Sequence, residues 1–325
     1  MLISTAPIAH AGLDAPINLD NPRVVPIWGA QSEAQGASNR GWWSGYLYSS
    51  RIVLTAAHST YTFDANRNRQ TYENSPFTMV GKPNSNIKNP TGAVKVIKTF
   101  VGDYKKSKVG NSLNDFIVYV LDKDLVPIQP SRLMSADIEK ELLAAKTELS
   151  YHGYGEYRDR CAPGQQAPCQ RDWNNPNWSG SDLPRINKIN LAPLTDFTWM
   201  NPDLKADVQF ESLISNHKGC NGDSGGPITT VYEGELIYIG QGLNGSNVYA
   251  CGAGNANSKN NDAKSFGYFS PVYKHLDLIS QAEAYVKEST PKQSKAKVSI
   301  TCVKGKMVKK VSGANPKCPA GYKNK

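Results

Sequence analysis

A chain of 325 residues with 39% hydrophobic residues is long enough to bury the cores of two domains of ordinary size. It has no apolar run near the roughly 18 to 20 residues that a membrane-spanning helix needs, which excludes such a span. The net charge of +9 resides in residues 289–325, which hold ten lysines and no acidic residue. The rest of the chain is close to neutral, so the charge does not predict a nucleic-acid partner.

Six cysteines without a Cys-x-x-Cys pair, and five histidines without zinc-ligand spacing, indicate disulfides in an oxidising compartment. Neither a metal site nor a cofactor is predicted. Residues 1–23 are predicted to be a leader or propeptide. Ala9-His10-Ala11 has the small-x-small form of a signal-peptidase site, but no basic segment precedes it. A signal remnant and an ordinary terminus therefore both remain open, and the predicted location is secreted or cell-surface.

Two short strands are predicted between Gly45 and His58. β-branched and aromatic residues flank a polar turn at 49–51, which is typical of a hairpin. The second of these strands leads directly to His58.

A third candidate residue, Asp115, stands immediately before the apolar run 116–121. An isolated acid at the mouth of a buried strand costs free energy unless another group binds it. Asp115 could otherwise be a simple turn residue, and its sequence neighbours alone leave both interpretations open.

Next come a Pro-containing crossing at 126–132 and a short helix at 135–146, with Ser135 as its N-cap. A strand ends in Gly153-Tyr154-Gly155, where His152 is interpreted as a half-buried strand residue. The polar segment 156–182 is predicted to be a surface loop, after which strand character resumes at 186–194.

The stretch from Gly219 to Pro227 reads GCNGDSGGP. It cannot be a helix interior or a central strand, because glycine gives the backbone unusual freedom and proline removes a donor. The predicted sharp loop exposes Ser224 Oγ. It also aims the amides of Gly222 and Ser224 at one point, where an oxyanion could sit.

Residues 222–226 also fit the G-x-S-x-G nucleophile elbow of α/β-hydrolases. That elbow needs a helix directly after the serine, and then the acid and the histidine downstream. Gly-Gly-Pro starts no helix, and His275 is the one downstream histidine, within a helical segment. The context therefore excludes the elbow.

The motifs Thr-Ala-Ala-His, Asn-Asp before an apolar run, and GDSGGP together resemble the trypsin/chymotrypsin family of serine peptidases over about residues 24–287. The resemblance implies an all-β fold of two six-stranded Greek-key barrels, at 24–130 and 131–288, with a C-terminal helix. It also implies a His58-Asp115-Ser224 triad, an oxyanion hole at Gly222 and Ser224, and a secreted monomeric endopeptidase acting on proteins or peptides. The alternative is a catalytically silent homologue that binds partners.

The specificity pocket is implied to be walled by strands at 235–242 and 266–272, with Gly242 as a substrate-binding residue. Lys218, six residues before the nucleophile, occupies the pocket floor in this resemblance, which favours acidic side chains unless the lysine reaches out to water. Asp223 is implied to pair with a new amino terminus at Val24, created by cleavage after Arg23, although Pro26 stands where a glycine is usual.

The usual cysteine after the catalytic histidine is absent, since Ser59 occupies its place and Gly45 stands near its partner's. The resemblance directly implies one bridge, from Cys220 to Cys251. Pairing between sequence neighbours is expected for the other cysteines, because a tail bridge crossing into the body would need a costly long loop. The expected bridges are Cys161 to Cys169, Cys220 to Cys251 and Cys302 to Cys318.

An amphipathic helix is predicted from the stripe Val272, Leu276, Ile279, Ala282 and Val286. Residues 289–325 lie beyond the resemblance. They predict a small basic appendage, a hairpin around Gly305 clipped by a disulfide, with an anionic surface polymer such as a cell wall as its partner. A solvated tail without a partner remains the alternative.

Overall fold

The computed structural model describes residues 15–37, 41–63, 69–71, 76–89, 91–106, 112–155, 181–192, 213–215, 222–246, 266–289, 298–313 and 315–325. The chain divides into two compact units, residues 1–283 and 284–325. Among the described residues there is no helix with the length and hydrophobicity to span a bilayer.

The described strands, in chain order, are β1 (Val24–Ala30), β2 (Trp42–Ser49), β3 (Ile52–Thr55), β4 (Tyr61–Phe63), β5 (Arg69–Thr71), β6 (Phe77–Val80), β7 (Val94–Val101), β8 (Lys105–Lys106), β9 (Ser112–Leu113), β10 (Ile117–Leu121), β11 (Arg132–Leu133), β12 (Glu148–Gly153), β13 (Arg185–Ala192), β14 (Leu213–Ser215), β15 (Pro227–Tyr232), β16 (Glu235–Ser246), β17 (Phe266–Pro271), β18 (Val298–Lys304), β19 (Met307–Gly313) and β20 (Lys323–Asn324). The helices are α1 (Ala136–Ala144) and α2 (Leu276–Ser289), with 3₁₀ turns at Ala57–Ser59 and Val272–His275.

Six antiparallel strands close the first barrel in the order β1-β2-β3-β10-β7-β6. Successive side chains of a strand point to opposite faces, and β1 follows this alternation. Val25 and Ile27 pack inside the barrel with Leu47 and Tyr119, whereas Val24 and Trp28 join a second apolar cluster on the other face.

The second sheet also forms a ring. Its order is β11-β16-β15-β12-β13-β14-β17, and β16 pairs in addition with β17. The long strand β16 is antiparallel to both β15 and β17, so six strands form a closed circuit of pairings, with β11 attached in parallel to β16. The predicted fold of two six-stranded barrels is thus confirmed.

Both predicted helices are present. Ser135 caps α1 by accepting a hydrogen bond from the Ile138 amide at 3.3 Å. Before α2, residues 272–275 form a 3₁₀ turn, whose three residues per turn shift the phase of the buried face. As a result Leu276, predicted to be in the buried stripe, is 44% exposed, and Leu278 is buried in its place.

The second unit contains the predicted hairpin. Strands β18 and β19 are antiparallel, Gly305 has a φ of +59° at their turn, and β20 pairs with β18. Cys302 and Cys318 are bonded, as expected. The other four cysteines lie outside the described residues.

Candidate active site

His58 is presented at the end of a short barrel strand. Strand β3 stops at Thr55, and the 3₁₀ turn Ala57–Ser59 carries the imidazole out of the barrel wall. Thr55 is fully buried and its hydroxyl donates a hydrogen bond to the Ser44 carbonyl at 2.7 Å. The strand end before the turn that bears His58 is therefore fixed to the neighbouring strand.

Asp115 is buried just before β10, and the structure brings it to His58. Its Oδ1 accepts a hydrogen bond from the His58 amide at 2.8 Å, and its Oδ2 lies 2.7 Å from His58 Nδ1. The preceding Asn114 has a φ of +54°, a left-handed conformation that asparagine tolerates. The carboxylate therefore fixes both the backbone and the ring of His58.

Ser224 completes the arrangement, because its Oγ lies 2.7 Å from His58 Nε2. A carboxylate can only accept a hydrogen bond, so Nδ1 must carry the proton that it donates to Asp115. In the neutral ring this leaves Nε2 as an acceptor for the Ser224 hydroxyl. The three side chains thus form one chain of hydrogen bonds.

The charge of Asp115 also alters the acidity of His58. Burial lowers the pKa of the His58 imidazole, but the charge and the hydrogen bond of Asp115 together raise it more. The net effect is a pKa above the ordinary value of 6.5.

The loop that carries Ser224 is bent at two glycines. Gly222 has a φ of +92° and Gly225 a φ of +73°, a region that side chains disfavour. A Cβ on Gly225 would lie 2.0 Å from Thr55 Oγ1, so the loop also approaches the first barrel too closely for any side chain there. Among the described residues, the amides of Gly222 and Ser224 donate no hydrogen bond, and both remain candidates to bind an oxyanion.

Comparison with known proteins gives the site its context. Residues 27–279 match the family described as Trypsin. The chain belongs to the trypsin family.

The fold is similar to that of the secreted serine protease VesC from Vibrio cholerae, with a TM-score of 0.52 and 16% sequence identity. The alignment covers 88% of this chain and 49% of that one, so this chain spans about half the length of its structural neighbour. At this identity the likeness shows the fold alone. A search of curated proteins found no match.

In this trypsin-family chain, Asp223 lies against two glycines of the second barrel. A Cβ on Gly153 would stand 2.0 Å from Asp223 Oδ1, and one on Gly155 would stand 2.4 Å from it. The Gly155 amide donates a hydrogen bond to Asp223 Oδ1 at 2.8 Å, and the Tyr151 hydroxyl donates to the Asp223 carbonyl at 2.9 Å. The two glycines of the strand end Gly-Tyr-Gly therefore leave the space that the buried Asp223 carboxylate occupies.

The pairing of Asp223 with an amino terminus at Val24, which requires cleavage after Arg23, stays a prediction. Val24 is fully buried in β1, opposite Tyr46, and its carbonyl accepts a hydrogen bond from the Asn84 amide at 2.9 Å. Arg23 is also held in place, because its guanidinium donates hydrogen bonds to three backbone carbonyls. In the intact chain the Arg23-Val24 bond thus lies at the start of the barrel strand β1.

The remaining predicted residues divide into two groups. Gly242 is described, and both of its backbone groups bind the nucleophile loop: its amide donates to Gly226 at 2.9 Å and its carbonyl accepts from Gly225 at 2.8 Å. Among the described residues no cluster of three or more histidine, cysteine or acidic side chains could hold a metal ion. The predicted residues outside the described ranges are Lys218, Cys161, Cys169, Cys220 and Cys251.

Two residues near the site were not predicted from the sequence. Ser44 bonds to the nucleophile loop, and Gln241 Nε2 donates to the carbonyls of Thr55 at 2.6 Å and Asp115 at 2.9 Å. Both are fully buried polar side chains. A serine or glutamine in a strand carries no signal by itself, and the partners of each lie far away in sequence.

Proposed function

We propose that this protein is a secreted serine endopeptidase that cleaves peptide bonds through His58, Asp115 and Ser224. The observation that supports this most directly is the position of His58, 2.7 Å from both the carboxylate of Asp115 and the hydroxyl of Ser224. The trypsin family and the secreted neighbour agree with this proposal.

In the proposed reaction His58 Nε2 takes the proton of Ser224 as Oγ attacks the substrate carbonyl. The amides of Gly222 and Ser224 would stabilise the negative oxygen that forms. Asp115 would keep the imidazole in the required tautomer and stabilise its protonated form. His58 would then give the proton to the leaving amine, and water would release the acyl group in a second, equivalent cycle.

A catalytically silent binding protein is the second candidate function. It lacks a supporting observation, because homologues of this kind lose a member of the triad, and here hydrogen bonds link all three side chains.

A labelled fluorophosphonate, which reacts with an activated serine, separates the two functions. We expect the folded protein to be labelled and Ser224→Ala to give no label. Ser131→Ala is the control, because it removes another buried serine hydroxyl but leaves the triad intact, and it should label like the wild type. Absence of label on correctly folded wild-type protein would favour the binding function.

The side-chain preference is proposed to be acidic. Lys218, at the pocket floor by resemblance, would place an ammonium where an unpaired buried charge is costly, and an aspartate or glutamate of the substrate would satisfy it. Gly242 would contribute only space, since its backbone groups bind the loop. A peptide-library profile with cleavage mainly after large apolar or basic residues would reject this preference, and Lys218→Gln should weaken it.

The second unit is proposed to bind an anionic surface polymer. Four lysines of the hairpin are exposed, and no acidic residue is present between 289 and 325 to offset them. Like charges on so small a unit attract a polyanion strongly at low salt, and salt screens the attraction. The four lysines are Lys304, Lys306, Lys309 and Lys310.

The test compares two full-length variants in which these four lysines are all changed to glutamine or all changed to arginine. Retention on an anionic polymer at low salt should be lost with glutamine and kept with arginine, while hydrolysis stays unchanged in both. Equal retention of the two variants would refute a role for the charge.

A further inference from the structure

Ser44, the third residue of β2, connects the first barrel to the loop that bears the nucleophile. Its amide donates to the Ser224 carbonyl at 3.0 Å, and its hydroxyl donates to the Gly222 carbonyl at 2.8 Å. The same hydroxyl accepts a hydrogen bond from the Tyr154 amide at 2.9 Å. Ser44 is fully buried, so water cannot replace these bonds without opening the interface.

The direction of the hydroxyl hydrogen bond is determined by its partners. The Tyr154 amide can only donate, so it must use a lone pair of Ser44 Oγ. The single hydroxyl proton is then left for the carbonyl of Gly222, which can only accept. The Ser44 side chain is therefore held in one orientation by two groups of fixed polarity.

Gly222 is the residue whose conformation this bond controls. With a φ of +92° it has no side chain to restrict its backbone, and glycine visits several conformations at little cost. Its amide is one of the two candidate oxyanion donors. A hydrogen bond to its carbonyl fixes the following peptide plane and limits the rotations through which the amide could turn away.

Trp42 supports the same arrangement from a nearby position on β2. Its indole Nε1 donates to the Tyr154 carbonyl at 2.9 Å, while the Tyr154 amide donates to Ser44. A Cβ on Gly222 would lie 2.7 Å from Trp42 Nε1, so the indole packs directly on the glycine. Trp42 and Ser44 thus hold Gly222 between the two barrels.

We propose that Ser44 is a positioning residue for the oxyanion hole, acting through the carbonyl of Gly222. The inference rests on the proposed peptidase activity, since it names a residue that this reaction requires. The hydrogen bonds of the Ser44 side chain go to Gly222 and Tyr154, and not to His58 or the attacking oxygen. Its removal should therefore slow acylation without changing the protonation of His58.

The test measures acylation by p-nitrophenyl acetate, with active sites counted by fluorophosphonate labelling. Removing an oxyanion donor outright lowers the rate by about 10²–10³-fold in enzymes of this kind, and Ser44→Ala should lower the acylation rate constant by about 10–100-fold, because the donor is displaced and not deleted. The apparent binding constant and the midpoint of the acid limb of the pH profile should stay unchanged. Ser44→Cys, which keeps a weak donor of similar size, should fall between wild type and Ser44→Ala.

Ser131→Ala is the matched control. Ser131 is also buried, and its hydroxyl shares a 2.6 Å hydrogen bond with Tyr46, a residue of the same strand as Ser44, without bonding to the nucleophile loop. It should lose stability but keep the wild-type acylation rate per labelled site.

Equal slowing in Ser44→Ala and Ser131→Ala, or a Ser44→Ala variant as fast as the wild type, would overturn the inference while leaving the peptidase intact. If Ser44→Ala does not fold, Ser44→Cys decides: slower acylation supports the inference, and a wild-type rate overturns it. Wild-type protein that neither labels nor acylates would overturn the proposed activity, and this inference with it.

Discussion

The two barrels hold their parts of the candidate site in different ways. In the first barrel, His58 and Asp115 bind each other through two hydrogen bonds, and each stands at the end of a buried strand. In the second barrel, Ser224 lies on a glycine-rich loop whose carbonyls are held by donors from elsewhere, including Ser44 of the first barrel and Tyr151. The side chains of the acid and base thus hold each other, whereas the nucleophile loop is held by residues distant from it in sequence.

This difference shows which part of the site depends on contacts between the barrels. Side-chain contacts join the barrels near the catalytic groups, and they run in opposite directions. Ser44 reaches from the first barrel to the nucleophile loop, and Gln241 reaches from the second barrel to the backbone of Thr55 and Asp115. Each barrel therefore orients part of the other's chemistry.

The largest expected effect comes from breaking the pair in the first barrel. Asp115→Asn keeps the size of the side chain but offers His58 Nδ1 an amide in place of a carboxylate, which allows the wrong tautomer. We expect the rate to fall by about 10⁴-fold, the loss known for this change in the trypsin template. Steady-state hydrolysis of a peptide or ester substrate measures it.

The same variant should also move the pH profile. Asp115 is what raises the pKa of His58, so the acid limb of kcat/KM should shift to lower pH in Asp115→Asn. Asp124→Asn, an exposed change beyond the other end of β10, serves as the control and should leave both rate and profile unchanged. A loss below about tenfold in Asp115→Asn would contradict the role of Asp115.

The next largest effect is expected when the contact that Gln241 of the second barrel makes with the first barrel is removed. Gln241→Leu removes the donor to two buried carbonyls, and leaving a buried acceptor unpaired costs about 1–3 kcal/mol. We expect the free energy of unfolding to fall by about this amount in a urea titration. Acylation should slow by about tenfold, because displacement of Asp115 disturbs the geometry of the site.

Tyr238→Phe is the matched change for Gln241. It removes the hydroxyl that donates to Gln241 Oε1 at 3.2 Å but leaves the two carbonyl bonds in place. It should cost less stability and leave acylation at the wild-type rate. If both variants behaved alike, Gln241 would be no more than a packing residue.

The sequence predicts much more of the first barrel's chemistry than of the contacts between the barrels. Thr-Ala-Ala-His and Asn-Asp before an apolar run are local patterns, so His58 and Asp115 could be named from short segments. The glycines around Ser224 likewise predicted a bent loop, which the positive φ angles of Gly222 and Gly225 confirm. Local backbone conformations that only certain residue types favour can therefore be predicted from the sequence.

The interactions of Ser44, Gln241 and Arg23 cannot be predicted in this way. The hydroxyl of Ser44 is separated by 178 residues from the carbonyl that it binds, and Gln241 is 186 residues from Thr55. The local sequence at Arg23, a basic residue before two valines, fits a cleavage junction as well as it fits the start of a buried strand. The environment of Arg23 in the fold depends on the packing of β1 against β2, which the local sequence does not encode.

A smaller effect concerns the stability of the second barrel at acidic pH. Burial, with a contribution from Lys188, lowers the pKa of His152 to about 4, and burial, with Lys274, lowers that of His275 to about 3. His152 lies in β12 and is buried, more fully than predicted. Both histidines stay neutral in the folded protein, while in the unfolded chain they gain protons near pH 6.5. The unfolded state therefore binds more protons in this range, and stability is lost as the pH falls below about 6.5.

Each of these histidines costs up to about 1.4 kcal/mol per pH unit between about pH 6.5 and 4. His58, whose pKa is raised, has the opposite sign and offsets part of this cost. Urea titrations at about pH 7 and pH 5.5 should show a net loss of about 1–2 kcal/mol. The loss should shrink in His275→Gln and grow in His58→Gln. An unfolding free energy equal at the two pH values would contradict the assignment of neutral buried histidines.

The smallest expected effect is a loss of stability when Arg23 of the first barrel is replaced by lysine. Its Nη1 donates to the carbonyls of Leu47 and Tyr48, and its Nη2 donates to that of Gln129 at 2.9 Å. A lysine cannot reproduce this forked geometry, so Arg23→Lys should cost about 1 kcal/mol of stability. Its rate of hydrolysis should be unchanged, because none of these contacts involves the candidate site.

The same contacts predict that the Arg23-Val24 bond stays intact in the active protein. Cleavage there would separate the guanidinium anchor from the buried Val24 side chain and open the edge where β1 meets β2. Amino-terminal sequencing and intact mass of fluorophosphonate-labelled protein should show that residues 23 and 24 remain joined. Labelled protein that begins at Val24 would instead support cleavage as the activating step, and Arg23→Lys would then be expected to change activity more than stability.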